Sequence, residues 1–322
     1  MLWVSKLDQR GKRAATFSLS ALLSACVLAI AVLIAGAAWA EPIIVKHAQG
    51  EVTLPDKPRR IVVLDFSALE VLDAIGVDVI GVVGSLMPGH LAKYKADAYI
   101  KAGSLFEPDY EAINASRPDL IIVAGRSAPK HKDLKKIAPT IDLSTDEKDH
   151  VGSAIRNAQT LGRIFGKEPA VEAMVVKLRD SIAALRARTA NGGRGLVVLT
   201  TGGRMSAYGP LSRFGSLHTD FGIPPAVETL DTAVHGQGIS FEFIMKANPD
   251  WLFVLDRDAA IGARGQPAAQ LLENPLIART SAWQKQRVVY LDPVRWYLVA
   301  GGLLSLQASV DQISAAYSAA AK

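Results

Sequence analysis

Two sixteen-residue stretches carry the side chains best suited to chemistry. Glu111-Ala-Ile-Asn-Ala-Ser-Arg-Pro-Asp-Leu-Ile-Ile-Val-Ala-Gly-Arg126 and Glu242-Phe-Ile-Met-Lys-Ala-Asn-Pro-Asp-Trp-Leu-Phe-Val-Leu-Asp-Arg257 align without a gap. They agree at Glu, Ile, Pro-Asp, Val and the closing Arg. Each pattern predicts a helix, a Pro-Asp turn and a buried strand, with an arginine just past the strand's carboxyl end. In open α/β sheets, ligands bind outside the carboxyl ends of strands. Arg126 and Arg257 are therefore expected to face a common cleft, one from each duplicated unit. A single arginine is ordinarily a solvated surface charge; two at matched positions of a repeat point instead to a shared task. Guanidinium is a permanent, weakly hydrated cation with a fixed fork of donors, so the expected ligand is an oxygen-rich anion.

Signatures of catalysis do not accompany these arginines. No Gly-x-Ser-x-Gly elbow, phosphate loop or dinucleotide fingerprint occurs where a strand meets a helix. Ser67 follows a strand, but no base is recognisable for it. His47, His90, His131, His150 and His218 are scattered without zinc-like spacing and read as surface residues. The expectation is a binding protein with no intrinsic cofactor, not an enzyme.

The elements that must position the arginines alternate along the chain. Residues 60–64, 79–83, 119–124 and 140–143 read as short buried strands, and 67–75 as the helix after the first, which predicts an α/β fold with parallel strands. Residues 151–165 and 169–189 read as consecutive helices broken at Gly166. In the second, Val171, Met174, Val175, Leu178, Ile182 and Leu185 recur at helical spacing. A new α/β series starts at Leu196. The predicted architecture is two α/β lobes, 41–166 and 191–322, joined by one long helix over 167–190, with the ligand cleft between them. A single connecting helix is stiff, so closure on binding is expected to be modest.

The first forty residues read as a leader. Lys6, Arg10, Lys12 and Arg13 precede a long apolar run that ends in Ala38-Trp39-Ala40, a small–x–small cleavage pattern. Cleavage after Ala40 would deliver the remaining 282 residues of 322 to the periplasm. A retained membrane anchor is the alternative reading, since the run is long enough to span a bilayer. The sole cysteine, Cys26, sits in a lipoprotein-like box, but the apolar residues after it argue against lipidation. Without the leader, the mature chain has no thiol, which suits an oxidising compartment. The leader's four basic residues and Asp8 account for three of the five net positive charges. No long basic run remains, so nucleic acid is not an expected partner.

Further segments carry a family resemblance. Arg60-Ile-Val-Val-Leu-Asp-Phe-Ser-Ala-Leu-Glu-Val-Leu-Asp-Ala-Ile-Gly76 resembles the first strand and helix of periplasmic iron–siderophore-binding proteins of ABC importers. Tyr208-Gly-Pro-Leu-Ser-Arg-Phe-Gly215, His235-Gly-Gln-Gly-Ile-Ser-Phe-Glu-Phe243 and Val289-Tyr-Leu-Asp-Pro-Val-Arg-Trp-Tyr297 resemble segments of the catecholate-binding branch. The resemblance covers essentially the whole mature chain. It implies two lobes joined by one long helix, a monomer, and delivery of an anionic ferric siderophore to an inner-membrane permease. It implies that Arg126, Arg213 and Arg257 hold the anion, with Arg213 near a helix start. It also implies that His235 and Tyr297 complete the shell of an iron held by a four-coordinate siderophore, and that Glu70 and Asp220 dock the permease from the outer faces. Tyr208 and Trp296 are candidates to stack on catechol rings, with core packing as the other reading. Leu211 and Arg295 depart from the family pattern and leave the exact siderophore open. A hydroxamate siderophore, haem or cobalamin remains the alternative ligand.

Overall fold

The computed structural model describes residues 42–230 and 236–320. The expected leader, with Cys26 and the site after Ala40, lies outside the described residues, and so does His235. The chain enters through a hairpin, β1 (Ile43–His47) and β2 (Gly50–Leu54). The first lobe follows as β3 (Ile61–Val63), α1 (Phe66–Ala74), β4 (Gly81–Val82), β5 (Ile100–Lys101), α2 (Tyr110–Ala115), β6 (Leu120–Val123) and β7 (Thr140–Asp142). Its sheet order is β5-β4-β3-β6-β7, with every pair parallel. β3 and β6 are buried along their whole length, as parallel strands covered on both faces require.

Two helices lead out of this lobe. α3 (His150–Phe165) stops at Gly166, whose φ of 62° is the left-handed conformation that glycine adopts at no steric cost. α4 (Glu168–Thr189) is the long helix; Val171, Val175, Leu178 and Leu185 are its buried stripe, while Met174 and Ile182 are only partly covered. The second lobe contains β8 (Gly195–Thr201), β9 (Arg204–Tyr208), β10 (Gln237–Ile239), α5 (Phe241–Ala247), β11 (Trp251–Asp256), α6 (Arg257–Ala260), β12 (Val288–Tyr290) and α7 (Pro293–Tyr297). Its order is β10-β9-β8-β11-β12. Here β8, β11 and β12 are parallel, and β9 and β10 extend the sheet antiparallel.

The sequence repeat has a structural counterpart. β6 and β11 hold equivalent places, each beside the first strand of its sheet. The repeated Pro-Asp has the same job in both. Asp119 accepts the N–H groups of Arg59 and Arg60, each at 2.8 Å, just before β3. Asp250 accepts the N–H of Arg194 at 2.9 Å, just before β8. Each carboxylate thereby sets the register of the neighbouring strand. The helices are capped alike, by Asp109 on Ala112 N–H and by Ser240 on Phe243 N–H.

The chain's last helix, α8 (Leu303–Ala320), does not stay with the second lobe. It packs along α4 and against α1 and α3 of the first lobe. The lobes are therefore tied twice, by α4 and by this returning segment.

Candidate functional site

Tyr297 is the point on which both lobes converge. It ends α7, whose start is fixed by Asp292 accepting from Val294 N–H and Arg295 N–H, each at 3.0 Å. Arg126, just beyond β6, donates to the Tyr297 carbonyl at 2.8 Å. Arg213, in the loop after β9, reaches the same carbonyl at 3.4 Å. Arg257, at the end of β11, donates Nε–H to the Tyr297 hydroxyl at 2.9 Å. The three guanidinium carbons stand 4.9, 4.5 and 5.7 Å from the ring centroid, within cation–π range. Arg257 is steadied by Thr201, and Asp258 holds Thr201 and the β8–β9 turn at 2.8 and 2.7 Å.

The electrostatics of this cluster are unbalanced. Among the described residues, neither Arg126 nor Arg213 has a carboxylate ion-pair partner, and the Arg257–Asp258 approach is a long 3.9 Å. Burial and the adjacent Arg126 charge press the pKa of Arg213 down. Burial works to raise that of the Tyr297 phenol, but the Arg257 hydrogen bond and the three guanidinium charges outweigh it and hold the phenol below its ordinary value. An anionic ligand would relieve the first and exploit the second.

Arg126, Arg213 and Tyr297 line a cavity of about 360 Å³, which also reaches Asp65, Ser67 and His150. β3 and β6 lie side by side and lead to opposite halves of the first sheet, which makes their carboxyl ends the topological switch point. Asp65 and Arg126 are the residues that follow them. Asp65, Glu147 and His150 escaped sequence reading. Asp65 had a usable signal, its place right after a predicted strand. His150 was expected at the surface, yet it is 8% exposed, and His131 and His218 are buried as well. Their ring nitrogens are engaged by the carbonyls of Ala300, Thr140 and Ile223, partners that no local pattern announces.

The other expected site residues divide. Tyr208 and Trp296 are 3% and 5% exposed and do not line the cavity. Tyr208 meets the edge of Phe214, and Trp296 that of Phe221. Arg295 faces Asp292 at 3.6 Å instead of the cavity, and Leu211 is exposed. Arg213 precedes only a four-residue helix, Ser216–Thr219, so no helix dipole of consequence reaches it. Glu70 is corrected outright: it is 1% exposed and cannot dock a partner from an outer face. Its carboxylate accepts Ser305 N–H at 3.0 Å and Ser305 Oγ at 2.6 Å, and meets His90 Nε2 at 2.9 Å. Asp220 is half-buried; burial raises its pKa, and its main-chain carbonyl is held by Arg186 of α4. The acids that stand exposed at equivalent places in the two lobes are Glu111 and Glu242, which open the repeat.

The chain is similar to known proteins in sequence and in fold. The petrobactin-binding protein YclQ of Bacillus subtilis is 39% identical over 279 residues, covering 85% of this chain and 87% of that protein. The ferric-anguibactin-binding protein FatB of Vibrio anguillarum is 32% identical over 282 residues, covering 86% and 88%. The crystal structure of the periplasmic catecholate-siderophore binding protein VctP from Vibrio cholerae superposes with a TM-score of 0.82 at 34% identity, over 85% of this chain and all of that one. Residues 61–294 match the periplasmic binding protein family, Peripla_BP_2, and with two lobes, a long helix and a cleft at the strand ends the chain belongs to that family.

Proposed function

We propose that this protein captures an anionic ferric siderophore, a catecholate, and delivers it to an ABC importer for iron uptake. The observation that carries this reading is the convergence of Arg126, Arg213 and Arg257 on Tyr297, of which neither Arg126 nor Arg213 has a carboxylate ion-pair partner among the described residues. A ferric catecholate spreads several negative charges over a ring of oxygens, which suits a fork of guanidiniums from two sides. Fe(III) takes six ligands, and a bis-catecholate supplies four. Tyr297 is the fifth donor, a hard phenolate oxygen primed by the arginines, and His235 is the sixth. On ligand entry the Tyr297 phenol would release its proton to solvent and exchange the Arg257 hydrogen bond for the ferric ion, and Arg257 would turn to the catecholate oxygens. No catalytic step is part of this reading.

The mature protein begins after Ala40 and works in the periplasm as a monomer. Glu111 and Glu242 replace Glu70 and Asp220 as the acids that dock the permease, because they are exposed and related by the repeat. Charge reversal of both should impair uptake while leaving siderophore affinity intact.

The decisive experiment titrates purified protein with ferric complexes of a tetradentate bis-catecholate and of a hydroxamate. Tryptophan quenching reports binding, and the visible charge-transfer band reports iron ligation. Tight binding of the catecholate alone, with a shifted band, is expected. An unchanged band in His235→Ala and Tyr297→Phe would refute ligation by the pair. Preference for haem, cobalamin or a hydroxamate would overturn the catecholate reading itself.

A further inference from the structure

Arg257 differs from the other two arginines in having an acid for a neighbour, yet the two do not close into a contact pair. Parallel pairing sets Asp256 beside Thr200. Thr201, the last residue of β8, and Arg257, the first after β11, therefore stand side by side. The Arg257 guanidinium donates Nη1–H to the Thr201 hydroxyl at 3.3 Å, and that hydroxyl donates in turn to Asp258 Oδ1 at 2.8 Å. Nη1 and Oδ1 themselves are 3.9 Å apart, about an ångström longer than a charge-assisted N–H···O contact. The carboxylate is not free to swing and shorten the gap. Asp258 is 8% exposed, Gly202 N–H holds its Oδ2 at 2.7 Å, and a methyl group added to Gly265 would collide with that oxygen.

The repeat shows that the tie itself needs no charge. In the first lobe the residue after Arg126 is Ser127, which is buried and secures the turn to the neighbouring strand by donating to the Leu64 carbonyl at 3.0 Å. A neutral hydroxyl does there what Asp258 does in the second lobe. A buried carboxylate is costlier than a hydroxyl, so its place beside Arg257 calls for a task of its own. A guanidinium and a carboxylate this close favour a closed, two-pronged pair. Such a pair would draw Arg257 off the Tyr297 hydroxyl, which it now holds by Nε–H at 2.9 Å. We propose that Thr201 is a spacer: Asp258 aims the guanidinium, and the interposed hydroxyl keeps the pair open, so that Arg257 stays on Tyr297 and available to an incoming anion. Thr201 and Asp258 are thus positioning residues that act through Arg257. The spacing is a property of the protein itself; its consequence for ligand affinity rests on the siderophore reading above.

The test sets Thr201→Val, which keeps the shape of the side chain and removes the hydroxyl, against Thr201→Ser, which keeps the hydroxyl. In Thr201→Val the Arg257–Asp258 pair should close to about 2.8 Å in a crystal structure. The tyrosinate absorbance of Tyr297, isolated by difference against the same protein carrying Tyr297→Phe, should move to higher pH. Affinity for a ferric bis-catecholate should fall about tenfold, the size of one hydrogen bond to a charged group. Thr201→Ser should match the parent in all three readouts. Asp258→Asn removes the group onto which Arg257 would collapse. Added to Thr201→Val, it should restore much of the lost affinity and return the phenol titration toward that of the parent. A merely structural Thr201 would instead give losses that add in the double variant and a phenol that titrates as in the parent. Either result overturns the proposal, as does an unchanged Arg257–Asp258 distance in Thr201→Val. Melting temperatures identify any variant that misfolds; if Asp258→Asn is one, the contrast between Thr201→Val and Thr201→Ser decides alone. Failure of the parent to bind the chelate overturns the siderophore reading, while the phenol titration and the crystal structure, which need no ligand, still judge the spacer.

Discussion

Replacing Glu70 by alanine should unfold the protein more easily without weakening its grip on ligand. The Glu70 carboxylate is buried beneath α8 and satisfies two donors of Ser305, at 3.0 and 2.6 Å, while facing His90 at 2.9 Å. Glu70→Ala removes the acceptor and leaves the Ser305 N–H and hydroxyl facing a void. Each buried donor left without a partner costs about 1–3 kcal/mol. The hydroxyl can rotate toward another acceptor, but the amide cannot. The deleted side chain also leaves a cavity lined by α1 and the start of α8. The total comes to about 3–5 kcal/mol, typical for breaking a buried charged network. Against the roughly 5–15 kcal/mol that holds an ordinary domain together, about a fifth or more of the stability is lost. Urea unfolding followed by tryptophan fluorescence measures it as a fall in midpoint. Gly302→Ala should act alike, because an added methyl group would collide with the Glu70 carboxylate. Siderophore affinity of the folded variant should be unchanged, since Glu70 does not line the cavity. A Glu70→Ala protein as stable as the parent, defective only in delivery to the permease, would refute the buried-clamp argument and restore a docking role.

Three further outcomes follow from the same geometry. The Tyr297 phenol titrates below its ordinary value of 10.0, so its ionisation favours the folded state: the gain grows as pH rises toward 10.0 and is lost as pH falls through the folded pKa. Stability of the parent relative to Tyr297→Phe should thus improve in alkali, and Arg257→Ala should move the tyrosinate absorbance to higher pH; parallel stability curves would count against the arginine cage. Burial lowers the His150 pKa from 6.5, so its contribution is complete above pH 6.5 and declines on acidification, when the unfolded chain takes the proton first. His150→Gln should flatten that part of the stability profile, and an unaltered slope would argue that the imidazole is already charged. Asp119→Ala and Asp250→Ala should each cost about 1–3 kcal/mol by freeing the amides before β3 and β8; no loss of thermal stability in either would mean that the repeated Pro-Asp is not a register lock.

The two ties between the lobes bear on motion. Besides α4, hydrogen bonds from Gly301 N–H to the Ser67 hydroxyl, from His150 to the Ala300 carbonyl and from Ser305 N–H to the Glu70 carboxylate join the first lobe to the chain's end. These ties support the expectation of modest closure, and they locate the stiffness in the returning segment as well as in the long helix.

What the sequence determined by itself is local or repeated. Buried parallel strands show as continuous apolar runs because both faces are covered, and α4 shows as a 3.6-residue stripe. The repeat ending in Arg126 and Arg257 was legible because equivalent positions in duplicated units demand equivalent residues. What only the tertiary structure decided depends on partners remote in sequence. Glu70 looks like any acid on a helix until α8 returns to cover it, 235 residues later along the chain. His150 looks like a surface histidine until Ala300 closes over it. Tyr297 becomes an acidified phenol only when three arginines from separate loops meet on its ring. Burial and electric field are sums over neighbours in space, and a linear pattern records only neighbours along the chain.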